Sequence, residues 1–153
     1  MDSIHFDETQ VLIIDEKLNH DEVLKKMADQ LQVKGYVKDS YYPAIIEREK
    51  NYPTGLFTEA INVAIPHCDI ANVNQGSICV GVLKQPTQFA RMDEPDVMID
   101  VQLVVMLALT LPHGHIEMLQ KVVGLIQNQD VVKSIVHSSN QKEIYETIKK
   151  YLL

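Results

Sequence analysis

The run 101-VQLVVMLALT-110 decides the fold. It is rich in β-branched and aliphatic residues and apolar on both faces, so it predicts a strand at the centre of a sheet covered on both sides. Too short for a membrane span of about 20 residues, it reads as a buried strand. Upstream, 77-SICVGVLK-84 is a second β-rich run, followed by the polar, proline-punctuated stretch 85-QPTQFARMDEPD-96, which reads as a loop. Downstream, 114-GHIEMLQKVVGLIQN-128 predicts a helix with Ile116, Leu119, Val122, Val123 and Ile126 on one stripe.

The outer segments alternate in the same way. Residues 10-QVLIID-15 predict a first strand. Asn19 reads as the N-cap of 21-DEVLKKMADQLQVKG-35, with Val23, Leu24, Met27, Ala28 and Leu31 at helical spacing and Gly35 as its stop. Asp39 or Ser40 caps a helix over 41–51, with Pro43 in its first turn. Residues 51–62 read as a loop, and Val63 to Ile65 as a short strand ending at Pro66. A short helix from Asp130 to His137 and a last one over 141–153 complete the chain. Helices interleaved with apolar strands point to an α/β fold, a single domain over 1–153 with a sheet flanked by helices.

Composition narrows the function. The 153 residues are 46% hydrophobic, enough for one core. Fourteen basic against twenty-one acidic residues give a net charge of −7, which argues against nucleic acid as a partner. The polar N-terminus shows no secretory signal, and two cysteines, Cys68 and Cys79, are too few for a disulfide scaffold; the plain expectation is a cytoplasmic protein with free thiols.

Six histidines carry most of the chemical interest. His5, His20 and His137 stand in polar contexts and are expected at the surface. His67 is different. In 63-VAIPHCDIA-71 it ends a strand-like run just after Pro66, which puts the ring at a rigid rim. Two readings stand there: a histidine capping a turn through a backbone hydrogen bond, or a reactive ring. His113 and His115, in 112-PHGHIE-117, follow the central strand. With His67 they are candidates for a zinc-dependent hydrolase, though no H-E-x-x-H spacing supports a metal and no G-x-S-x-G supports a serine nucleophile. A phosphate-carrying histidine needs a neutral ring, donors that offset the phosphoryl charge, and access for two partners. His67, Arg48, the Thr54-Gly55 turn and His115 could supply these parts. No glycine-rich phosphate loop is present, so no nucleotide is suggested.

The run 48-REKNYPTGL-56, followed by 61-INVAIPHCD-69, resembles the signature of the enzyme IIA domains of the mannitol–fructose class, which belong to the bacterial phosphoenolpyruvate-dependent sugar phosphotransferase system (PTS). The resemblance spans nearly the whole chain, and Y-P-T-G-L with I-P-H-C-D is most similar to galactitol-specific members. It implies a mannitol-type fold, a mixed β-sheet flanked by helices. It implies that His67 accepts phosphate from the carrier protein HPr and passes it to a cysteine of a cognate IIB. Arg48 matches the position that steadies the phosphoryl group, and His115 the second histidine at the start of the following helix. Thr54, Gly55 and His113 are further phosphate-stabilising candidates. No cofactor and no metal is implied, and membrane association is at most peripheral, to a IIC permease. The chain departs from the pattern in a longer, glycine-free 56-LFTEAINV-63, in the additional His113, and in Cys68 where a glycine is common. Cys68 reads as a small, partly buried side chain, not a second acceptor. The alternative within the same family is a regulatory binding module controlled by phosphorylation.

Overall fold

The sheet is built around the strand that the sequence marks out. The structure, a computed structural model, describes residues 4–112 and 114–153, with the backbone alone at 114 and 115. In chain order the elements are β1 (Val11–Ile14), α1 (His20–Val33), α2 (Tyr41–Asn51), β2 (Gly55–Leu56), β3 (Asn62–Ala64), β4 (Ser77–Ala90), β5 (Met98–Ala108), α3 (Gly114–Gln127), α4 (Gln129–His137) and α5 (Gln141–Leu152). The strands form one sheet in the order β1-β4-β5-β3-β2, with β5 in the middle. The sheet is mixed: β1 with β4 and β3 with β5 are parallel, β4 with β5 and β2 with β3 antiparallel.

Period-two alternation sends β5 side chains into two cores. Leu103, Val105 and Leu107 pack with Met118, Val122, Ile135, Ile144 and Ile148 from α3, α4 and α5. Val104, Met106 and Ala108 pack with Leu24, Met27, Leu31, Tyr41 and Ile45 from α1 and α2. This three-layer arrangement explains why the run is apolar on both faces. The alternation slips once: Val101 and Leu103 face opposite helical layers because Gln102 is passed over in the pairing with both β3 and β4.

Local chemistry sets the ends of the helices. Asn19 and Glu22 form a reciprocal capping box at α1. At its far end Gly35 takes φ +80, and Gly35 and Tyr36 donate back to Gln32 and Leu31, a Schellman stop that needs glycine's left-handed backbone. Asn128 and Asn140 cap α4 and α5 through their side chains.

Several boundaries differ from expectation. The stretch 85–96 is not all loop: β4 continues to Ala90, because an irregular segment around Pro86 absorbs the missing N–H and pairing resumes at Thr87. The loop over 51–62 holds the two-residue strand β2. The buried stripe of α3 is Met118, Val122, Leu125 and Ile126; Ile116 and Val123, expected inside, are 58% and 43% exposed. Both stripes are apolar, and docking against β5, not the pattern, selects between them. His20 is half-buried against Phe89, while His5 and His137 are exposed.

Candidate functional site

His67 lies just past the end of β3, in parallel register with Leu107 near the end of β5. The Leu107 N–H donates to the Pro66 carbonyl at 2.9 Å, which pins the corner to the central strand. The fully buried Tyr41 hydroxyl donates to the Leu107 carbonyl at 2.7 Å, tying α2 to the same point. The ring therefore sits at the carboxyl ends of two parallel strands, a common place for chemistry in α/β folds.

The side chain is half-buried, and its Nδ1 is 2.8 Å from the Ile65 carbonyl oxygen. A carbonyl can only accept, so Nδ1 carries the hydrogen and the ring lone pair is on Nε2. Burial pulls the His67 pKa below its ordinary 6.5; the Ile65 bond opposes this, and the positive charge of Arg48 adds to it. The ring is thus neutral and nucleophilic near pH 7. The backbone hydrogen bond expected of a turn-capping histidine is present, and it orients the ring.

An open depression of about 400 Å³ is lined by Arg48, His67, Cys68, Asp69, Ile70 and Pro112. Arg48 is exposed in the last turn of α2, its guanidinium 5.4 Å from the Tyr52 ring centre. Cys68 is 4% exposed, and burial pushes its thiol up to about 11, so it is protonated at neutral pH. Asp69 starts the 3-10 turn Ile70–Asn72 by accepting from the Ala71 N–H at 3.5 Å.

The other sequence candidates fall in different places. Thr54 is 2% exposed; its N–H and hydroxyl both donate to the Glu49 carboxylate at 2.8 Å, and its carbonyl accepts from Ile65. Its hydrogen-bonding groups are therefore engaged away from the depression. At Gly55 a side chain is excluded: a Cβ there would be 2.5 Å from the Ala90 carbonyl oxygen, so the glycine serves a close approach of two backbones. The backbone of His115 is the second residue of α3, which begins two residues after Pro112, a residue that lines the depression. The His115 side chain and the whole of His113 lie outside the described residues. Among the described residues, no group of three or more His, Cys, Asp or Glu could hold a metal ion, and no helix is long and apolar enough to cross a membrane.

Sequence reasoning did not single out Asp69 or the Ile65 carbonyl, and Glu49 entered only as the second member of the Arg-Glu pair that the family signature carries. A capping signal at Asp69 is legible in D-I-A-N, whereas Glu49 and Ile65 act through contacts that no local pattern records.

Residues 4–151 match the family described as phosphoenolpyruvate-dependent sugar phosphotransferase system, EIIA 2. The galactitol-specific EIIA component of the PTS from Escherichia coli (strain K12) is 28% identical over 136 residues, covering 89% of each chain. Among solved structures, the complex of enzyme IIA and phosphorylated enzyme IIB for mannitol from Escherichia coli is similar, with TM-score 0.79 and 18% identity over 97% of this chain and 99% of that one. The crystal structure of mannitol IIA from Escherichia coli is likewise similar, with TM-score 0.76 and 18% identity over 98% of this chain and 100% of that one. The mixed sheet flanked by helices is the fold that these neighbours share.

Proposed function

Since this chain belongs to the EIIA 2 family of the phosphoenolpyruvate-dependent sugar phosphotransferase system, we propose that it carries a phosphoryl group on His67, taken from the phosphohistidine of HPr and delivered to a cysteine of a cognate IIB. The observation that carries this reading is the Nδ1 bond to Ile65, which leaves the lone pair on Nε2 of a neutral ring beside Arg48. Likeness to the galactitol-specific component supports a galactitol-type IIB, and the solved IIA–IIB complex supports a IIB acceptor in general. The IIA unit is taken to span 1–153 and to work in the cytoplasm.

In the first step Nε2 of His67 attacks the phosphorus in line. The P–N bond to the donor histidine breaks, its electron pair returning to the donor ring, as the Nε2–P bond forms. As the His67 ring gains positive character, the Nδ1–H···O bond to Ile65 strengthens, so this contact favours the transition state over the ground state. Arg48 donates to the phosphoryl oxygens, and the N-terminal end of α3, with His115, is a second source of donors. In the second step the thiolate of the IIB cysteine attacks the same phosphorus, the Nε2–P bond breaks, and the ring becomes neutral again. His113 is the remaining candidate for a donor. Thr54 and Gly55 contribute by holding the framework.

The test is transfer of radiolabelled phosphate from phosphoenolpyruvate through purified enzyme I and HPr. Label should enter the wild-type chain and be absent from His67→Ala. Label retained by that variant would place the acceptor elsewhere, and wild type left unlabelled by HPr but accepted by another donor would remove HPr from the scheme.

A further inference from the structure

A chain of hydrogen bonds runs from the end of α2 to the imidazole. The Glu49 carboxylate receives two donors from Thr54, the backbone N–H at Oε2 and the hydroxyl at Oε1, each at 2.8 Å. The Thr54 carbonyl accepts from the Ile65 N–H at 3.3 Å. The Ile65 carbonyl in turn holds His67 Nδ1 at 2.8 Å. Glu49 follows Arg48 directly, so one helical turn presents the arginine to the depression and anchors the segment that aims the ring.

From this geometry we infer that Glu49 is a positioning residue for phosphoryl transfer: its carboxylate clamps Thr54, and through Thr54 and Ile65 sets the orientation of the His67 ring relative to Arg48. The inference rests on His67 being the phosphoryl acceptor. Glu49 itself does not touch the reacting atoms.

Three observations separate this from ordinary packing. First, the site uses a carboxylate where a neutral acceptor would be easier to bury. Burial pushes the Glu49 pKa up, while the two Thr54 bonds and the positive influence of His20 and Arg48 pull it back. Second, the carboxylate accepts both donors of a single residue, a bidentate arrangement that fixes angle as well as distance. Third, Thr54 stands just before the two-residue strand β2, whose pairing with β3 and bridge to Arg91 begin at Gly55, so the Thr54 N–H and hydroxyl are held by the carboxylate and not by the sheet. A cavity of about 240 Å³ is lined by Glu49 with the titratable His20, Asp21 and Lys50 and with Ile46, Phe89 and Met98.

The experiment compares Glu49→Ala, Glu49→Gln, Thr54→Val, Thr54→Ser and the double variant Glu49→Ala/Thr54→Val. Each is assayed for transfer from phosphorylated HPr by rapid quench and for the His67 ring by 15N NMR. Glu49→Ala and Thr54→Val should each lower kcat about three- to tenfold per folded molecule. KM for HPr should not change. The double variant should lose little more than either single one, because both break the same link. Glu49→Gln, whose amide can turn so that its oxygen accepts the Thr54 N–H while its NH2 donates to the Thr54 hydroxyl, and Thr54→Ser should recover most of the rate. In the impaired variants the ring nitrogen shifts should move away from the Nδ1–H tautomer. Wild-type kcat and ring shifts in a folded Glu49→Ala protein would overturn the inference, even if its melting temperature fell. If His67 proved not to be the acceptor, the labelling of His67→Ala would show it independently. The ring shifts would still report whether Glu49 orients the imidazole.

Discussion

Replacing Arg48 should separate function from stability. The guanidinium is exposed, lies over an exposed Tyr52, and among the described residues forms no ion pair. Among the described residues its side chain's assignable contribution to folding is the ring contact, about 0.5–1 kcal/mol at such a site. In a domain of this size that is a fall in melting temperature of about 2–4 °C at most. Transfer should suffer far more. A hydrogen bond to a charged group is worth about 1.5–3 kcal/mol, and each ~1.4 kcal/mol is tenfold in rate, so Arg48→Ala should slow phosphorylation roughly 10- to 150-fold. Arg48→Lys keeps the charge but not the planar fork and should fall between the two. There is a second signature. The positive charge of Arg48 helps hold the His67 pKa down, so in Arg48→Ala the low-pH limb of the rate profile should move upward. The assay is rapid-quench transfer from labelled HPr across pH, beside a thermal melt. Transfer within about threefold of wild type would refute the proposed role. A rate loss matched by a large loss of stability would instead make Arg48 structural.

Four further outcomes follow from the same geometry. His67 has a folded pKa below 6.5, so its contribution to stability is complete above about pH 6.5 and is lost as pH falls through the folded value; urea melts should show wild type losing ground to His67→Gln on acidification, and a gain would contradict the burial argument. Glu49 has the opposite sign: its raised pKa gives stability that is complete below 4.5 and is lost as pH rises through the folded value, so Glu49→Gln should gain on wild type between acid and neutral pH in the same melts. Tyr41→Phe removes a fully buried donor to Leu107 and should cost about 1–2 kcal/mol in urea unfolding; an unchanged midpoint would mean that the bond to the central strand is dispensable. Cys68, its thiol pushed up to about 11 and buried, should resist iodoacetamide at pH 7.5 until the chain unfolds, and Cys68→Ala should still be phosphorylated; mass spectrometry reads both.

What the sequence discloses here is what depends on near neighbours. The central position of 101–110 follows from apolarity on two faces, because only a strand covered twice can bury both. The cap at Asn19 and the glycine stop at Gly35 are decided within four residues, and they are where the sequence puts them. The same locality explains the errors. Pro86 signals a break, but whether the chain turns or bulges and pairs again depends on β5, which comes later. The helix α3 carries two apolar stripes, and the sheet chooses one. At the site, His67 is legible because Pro66 marks its rim. Arg48 is legible as a candidate donor, and the resemblance of a longer motif gives it a position. The tautomer of His67 is not legible at all, since it depends on which backbone carbonyl meets Nδ1. That carbonyl belongs to Ile65, whose own position depends on Thr54, whose position depends on Glu49. A histidine after a proline can be read from the string as a candidate. What aims an imidazole is its hydrogen-bonded company, and here those links run back through Ile65 and Thr54 to an acid eighteen residues earlier in the chain.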